Sequence, residues 1–299
     1  MPIIKEKTMS QLSTLPAPPP AWLPPGEWPL PSRFLHVGDD TIHYIDVGKG
    51  PTILFVEAGM WSFIWRDVIS QLRATFRCVA LDFPGTGLSS RTTRDRVSIA
   101  AYADVLDAVI DRLRLDDITL VLHDLGGAVG LTYAASHPDR IRGLVVCQTF
   151  GWPPEQAALR FMLSAMGSAP VRTLNVATNL IPRITAHNYG VGRHLTRAGR
   201  RAFLGGLADR RKRRSFHYLM RDARRSTATL AAAEQALRGP LATKPLLTIF
   251  GQKQDPFGYQ KRWKKLYPHA VEHVVAGGHH FPMNDDPGLF AHALRDFAS

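Results

Sequence analysis

Three short stretches of this 299-residue chain carry side chains that could act on a single reacting atom. In "LVLHDLGGAVG" (120–130) a run of strand formers ends at His123, Asp124 and Leu125 lead into a glycine pair, and a helix-forming run follows. That is the outline of a sharp strand-to-helix turn that lifts one side chain, Asp124, into a pocket. Asp255 follows the apolar run "LLTIF" in "GQKQDP", and His279 and His280 follow "EHVVA" in "GGHHFPMNDDP". Taken alone, Asp124 reads equally as a helix N-cap, Asp255 as a turn residue before Pro256, and either histidine as a surface residue. Taken together they supply a nucleophile, an orienting acid and a histidine base in the chain order of a catalytic triad.

A carboxylate nucleophile narrows the chemistry. Attack on an ester carbonyl would give an anhydride, a poor intermediate. Attack on a saturated carbon gives an ordinary ester as the leaving group departs, and a histidine-activated water can then hydrolyse that ester. The acid would hold the imidazole in one tautomer and stabilise its charged form. Expected substrates are apolar alkyl halides, epoxides or similarly strained C–O electrophiles.

Parallel strands must position these groups, because in such sheets ligands sit at the carboxyl ends of the strands. The runs 52–57, 78–82, 118–123, 143–148 and 246–250 are continuously apolar, as suits strands covered on both faces, and 272–276 reads as a last strand. "RFLHVG" and "TIHYIDVG" read as an antiparallel hairpin. Between the runs, Ile99, Tyr102, Ala103, Leu106, Val109, Ile110 and Leu113 form one helical stripe. The expected fold class is α/β: a mostly parallel eight-stranded sheet flanked by helices. Residues 151–240 break the alternation and read as an inserted helical cap. The expected organisation is a proline-rich arm over 1–32, a core domain in two parts, 33–150 and 241–299, and the cap between them.

Composition is globular, 45% hydrophobic and 21% charged. No apolar run approaches the ~20 residues needed to span a bilayer. No secretory signal is evident. Cys78 and Cys147 both fall in apparent buried strands, which argues against a disulfide framework and fits a cytoplasmic location. The net charge of +12 is concentrated: residues 193–225, including "RRKRR" at 210–214, contribute +10. Without interleaved aromatics or a nucleic-acid motif, this segment reads as a solvated arginine-rich helix pair, so neither a nucleic-acid nor a membrane partner is expected. No cofactor and no metal are expected, and the sequence carries no signal for an oligomeric state.

The stretches "YIDVGKGPTILFV", "MWSFIWRDVI", "ALDFPGTGLSS", "HDLGG", "GQKQDP" and "GGHHFP" together resemble the α/β-hydrolase superfamily, in its haloalkane dehalogenase and epoxide hydrolase branch. The resemblance covers nearly all of 33–299 except the cap. It implies a triad of Asp124, His280 and Asp255, with His280 preferred over His279 because the family histidine precedes phenylalanine. An oxyanion hole is expected from Leu125 N–H and a donor in the loop after "TILFVE", with Gly59 the first choice. No G-x-S-x-G occurs, which argues against a serine esterase or lipase.

Three features depart from that pattern. Where the family has H-G-x-P, this chain has Glu57-Ala58-Gly59-Met60, which puts a second carboxylate near Asp124 unless Glu57 turns away and pairs with an arginine. Where haloalkane dehalogenases carry a tryptophan donor beside the nucleophile, this chain has Leu125; Trp61 and Trp152 are the substitutes on offer, alongside the plainer reading of both as core aromatics. Epoxide hydrolases use cap tyrosines as acids, and Tyr189 and Tyr218 are the candidates here, though both also suit packing. The reading is therefore a hydrolase resembling haloalkane dehalogenases, with an epoxide hydrolase or a low-turnover binding member of the fold as alternatives.

Overall fold

The computed structural model describes residues 18–299; the first part of the proline-rich arm lies outside them. Eight strands form one sheet: β1 (Arg33–Val37), β2 (Asp40–Val47), β3 (Thr52–Glu57), β4 (Arg77–Leu81), β5 (Ile118–His123), β6 (Ile141–Cys147), β7 (Leu246–Gly251) and β8 (Val271–Val275). Their spatial order is β1-β2-β4-β3-β5-β6-β7-β8. The β1–β2 and β2–β4 pairings are antiparallel and every other pairing is parallel. The mostly parallel eight-stranded sheet expected from the sequence is thus observed. Its central strands are dry: every residue of β5 and β7 is buried, as runs with no polar alternation require.

The first three helices are α1 (Arg66–Leu72), α2 (Ile99–Leu113) and α3 (Leu125–Ser136). Ser98 caps α2 by accepting from Ala101 N, and the apolar stripe read from the sequence is its buried face. Between β6 and β7 come α4 (Ala157–Met166), α5 (Ala169–Thr178), α6 (Leu180–Thr185), α7 (Arg197–Gly206), α8 (Arg213–Ala223) and α9 (Thr227–Arg238). The last of these packs on α3, whereas α4, α5 and α8 pack on one another. α10 (Tyr259–Leu266), α11 (Pro282–Asp285) and α12 (Pro287–Ala298) complete the chain. Two apolar clusters cover the two faces of the sheet; Val56, Leu122 and Val146 lie in one, and Phe55, Val121 and Val145 in the other.

Part of the concentrated positive charge is tied down locally, although Arg197, Arg201, Arg210, Arg211, Arg214 and Arg225 are exposed. Arg213 donates to the carbonyls of Asn175, Val176 and Ala208, Lys212 Nζ donates to Gly87 O, and Arg91 pairs with Asp209 at 2.7 Å. Within the described part of the arm, Trp28 stacks on Trp61 at 5.4 Å and Trp22 meets the same indole edge-on at 6.1 Å. Cys78 and Cys147 are free and buried. Among the described residues no helix is long and apolar enough to cross a membrane.

Candidate active site

Register brings the carboxyl ends of the central strands level. Glu57, the last residue of β3, pairs with His123, the last of β5, and His123 pairs with Cys147, the last of β6. The next residue, Asp124, turns the chain into α3 with φ 45° and ψ −128°. A β-carbon makes this region costly, about 1–3 kcal/mol for a held residue, so the surroundings must enforce it. They do so through the glycine pair: a Cβ at Gly126 would strike Val56 O, and one at Gly127 would strike the Thr149 hydroxyl. That hydroxyl donates to Asp124 O at 2.6 Å and fixes the turn from outside. Asp124 makes no side-chain cap bond to α3, so its carboxylate is available to the pocket.

His280 approaches from the loop after β8, its Nε2 at 3.7 Å from Asp124 Oδ2, an ion-pair rather than a hydrogen-bond distance. Three contacts hold that loop. His280 O accepts from His123 Nε2 at 2.8 Å, His279 O accepts from Gln148 Nε2 at 3.0 Å, and His279 N donates to Asp285 at 2.5 Å. Of the two histidines, the structure turns His280 toward Asp124 and sets His279 edge-on to Tyr189. Burial works against an ionised Asp124, but the His280 imidazole, the charge on His123 and the Leu125 N–H outweigh it, and its carboxyl lies below the usual range.

Asp124, Leu125, His280 and Asp255 line one cavity of about 140 Å³. Its remaining wall is largely apolar, with Phe150, Phe257, and Met162, Leu163 and Met220 from α4 and α8. The volume falls well under the ~300–1,000 Å³ typical of drug-sized ligands, which points to a small substrate. Asp255 shares the cavity without touching His280: its two carboxylate oxygens accept from Tyr259 N at 2.8 Å and Gln260 N at 3.0 Å, at the start of α10.

The departures resolve in three ways. Glu57 pairs with a histidine instead of an arginine: its Oε2 lies 2.5 Å from His123 Nδ1, with both side chains essentially inaccessible. Its other oxygen accepts from Gly59 N at 2.6 Å and Met60 N at 2.9 Å, so the Gly59 N–H expected in an oxyanion hole is directed at Glu57. The leaving-group candidates do not gather. Trp61 is buried and donates its Nε1 to Phe203 O at 3.1 Å; Trp152 is buried under Arg262, whose guanidinium lies 4.5 Å from its ring. Tyr189 is 73% exposed, and Tyr218 lies among arginines, with Arg94 and Arg172 near its ring. His123, Gln148 and Tyr259 are the site residues that sequence reasoning missed. The usable signal was a polar residue closing each of two adjacent apolar strands, Glu57 and His123.

The family model for the alpha/beta hydrolase fold matches residues 51–286, which include Asp124, Asp255 and His280. The chain belongs to that family, and its similarities place it with the haloalkane dehalogenases. It is 33% identical over 279 residues to haloalkane dehalogenase 2 of Mycobacterium tuberculosis, covering 90% of this chain and 96% of the relative. It is 26% identical to a cis-3-alkyl-4-alkyloxetan-2-one decarboxylase of Shewanella oneidensis, over 86% of this chain and 85% of that one. In fold it matches the crystal structure of haloalkane dehalogenase DbeA from Bradyrhizobium elkani USDA94, with a TM-score of 0.79, 23% identity, and coverage of 90% of this chain and 97% of that one.

Proposed function

We propose that this enzyme is a haloalkane dehalogenase-like hydrolase working through a covalent alkyl ester on Asp124. The carrying observation is the pairing at the elbow: an ionised carboxylate held in a strained turn, with His280 Nε2 3.7 Å away in a small apolar pocket. In the first step an Asp124 oxygen bonds to the saturated carbon, and the carbon–halogen bond breaks with its electron pair leaving on the halide. In the second, His280 takes a proton from water, whose oxygen attacks the Asp124 carbonyl; the acyl C–O bond breaks as the departing alkoxide takes the proton back from His280, and the new Asp124 carboxylic acid releases its proton to solvent as the carboxylate returns. Leu125 N–H, the first backbone donor after Asp124, favours the ionised Asp124 carboxylate, which supports it as the oxyanion donor. Asp255, facing the same cavity, is assigned to offset the charge that develops on His280. The helices roofing the pocket, α4 and α8, support the reading of 151–240 as a cap.

The test is to trap the ester. With His280→Gln, the second step stops while the first continues. Incubation with a panel of small alkyl chlorides, bromides and iodides should raise the intact mass by the transferred alkyl group, mapped to Asp124. An absence of adduct across the panel, or halide release undiminished in Asp124→Ala, would sink the reading. The epoxide alternative loses support, because neither Tyr189 nor Tyr218 lines the pocket with Asp124. A low-turnover binding role predicts no halide release from the wild type under the same conditions.

A further inference from the structure

A halide leaving into an apolar pocket must be met by a donor, since an anion stripped of water without a partner is expensive. Leu125 offers no side-chain donor, and the Trp61 indole N–H is already given to Phe203 O. The polar groups of the cavity wall can therefore be taken in turn. Asp124 and Asp255 are acceptors, and His280 faces Asp124. Gln148 gives an N–H to His279 O at 3.0 Å, and Gln254 sits at the exposed rim. Tyr259 is different. It is 8% exposed and lines the cavity, yet among the described residues its hydroxyl has no hydrogen-bond partner. A buried phenol normally finds one. Its ring is held among Phe150 at 5.3 Å, Phe257 at 5.5 Å and Trp152 at 6.0 Å. Its backbone N–H is anchored on Asp255, so the residue is fixed at both ends and only the hydroxyl is uncommitted.

We propose that the Tyr259 hydroxyl is the donor that holds the leaving halide, a role resting on the function proposed above. As the Asp124 oxygen bonds to carbon and the carbon–halogen bond breaks, the halide keeps the electron pair and accepts a hydrogen bond from the Tyr259 O–H, which retains its proton. Burial, reinforced by the carboxylates of Asp124 and Asp255, raises this phenol well above its ordinary value, which keeps it a donor across the working pH range. Tyr259 belongs to α10, outside the inserted helices, so the donor would be carried by the same sheet framework as the nucleophile.

The experiment has two arms and one control. Bromide binding to the wild type, Tyr259→Phe and Tyr218→Phe is measured by ⁸¹Br NMR line broadening at pH 7. Tyr259→Phe should bind bromide roughly 10- to 100-fold more weakly, the worth of a hydrogen bond to a charged group, and Tyr218→Phe should match the wild type. In the His280→Gln background, Tyr259→Phe should slow ester formation from an alkyl chloride more than from the iodide, because the poorer leaving group depends more on its donor. A merely structural defect would slow both alike. Unchanged bromide affinity, no bromide binding by the wild type, or equal slowing of chloride and iodide would each overturn the assignment. Tyr259-dependent bromide binding with no alkyl adduct in any background would instead retain the site and remove the covalent mechanism.

Discussion

Two histidine–carboxylate contacts lie back to back at the ends of β3 and β5, and they are built differently. His123 and Glu57 are 2.5 Å apart and sealed, with side chains 0% and 1% exposed. His280 and Asp124 are 3.7 Å apart and open, at 32% and 25%. Their imidazoles tilt past one another at 4.9 Å, and His123 Nε2 holds the His280 carbonyl. In the sealed pair both ring nitrogens face acceptors: Nδ1 a carboxylate and Nε2 a carbonyl that can only accept. Glu57 in turn collects two backbone N–H groups on its other oxygen. The arrangement suits an imidazolium and a carboxylate. Burial disfavours the charged ring, but Glu57 outweighs it and holds His123 above its ordinary value. The tight pair is thus structural, and the loose pair leaves room for a substrate.

The largest effect should come from removing the open pair's carboxylate. Asp124→Ala is expected to lower halide release by about 10⁴-fold, the scale of losing a member of a covalent triad. Stability should change little, because a buried charge is removed together with its partner contact, while the alanine β-carbon leaves the strain of the turn as it was. A loss under tenfold in steady-state halide release would show that Asp124 is not the attacking group.

Breaking the sealed pair should do the reverse, acting on the fold. Glu57→Gln leaves a buried imidazolium without its counter-charge, and the cost of orphaning one partner of a buried pair is about 3–5 kcal/mol. The loss is read as a lowered urea midpoint. Replacing both residues with apolar ones, Glu57→Leu with His123→Leu, should recover much of it, because no unpaired charge remains. If the double variant is as unstable as the single one, the contact is packing rather than electrostatic.

This contrast also divides what the sequence could tell. The apolar runs located the five inner parallel strands to within a residue or two, because buried parallel strands tolerate no polar interruption; β1 and β2 are legible as a hairpin, and β8, which is largely exposed, as a short apolar run. The glycine pair and the order Asp, Asp, His point to the proposed site for a similarly local reason: backbone strain and strand ends are written in neighbouring residues. Glu57–His123 depends instead on register between strands 66 positions apart in the chain, and the destination of Asp255 depends on which of two nearby groups its rotamer meets. Tyr259 reads as an ordinary helix aromatic until the surrounding rings are in place. Arg213 and Lys212 likewise read as solvent-facing charge until the carbonyls they satisfy come into position.

Asp255 sits between the two regimes, since it caps α10 and faces His280's cavity. Asp255→Ala should lose about 1 kcal/mol as a missing cap, while Asp255→Ser, a competent cap, should lose little. Both should lose halide-release activity alike if the carboxylate balances the His280 charge. Activity that follows stability, falling in Ala and surviving in Ser, would confine Asp255 to capping.

The smallest effect, and the sharpest test of the sealed pair's charge state, is a tilt of stability with pH. His123 binds its proton more tightly folded than unfolded, so its contribution is complete below the unfolded value of about 6.5. It is lost as pH rises from there through the folded value, because over that range the folded state still holds a proton that the unfolded chain has released. Asp124 has the opposite sign: with its carboxyl depressed in the fold, its contribution is present above about pH 4 and lost as pH falls further. Between pH 6.5 and 9 only His123 titrates of these two, so urea-unfolding free energies should decline with pH by at most about 1.4 kcal/mol per unit. In the double Glu57→Leu, His123→Leu variant that decline should flatten. A wild-type profile that is flat over this window would mean that the sealed pair holds no proton beyond what the unfolded chain binds, and that His123 is neutral there.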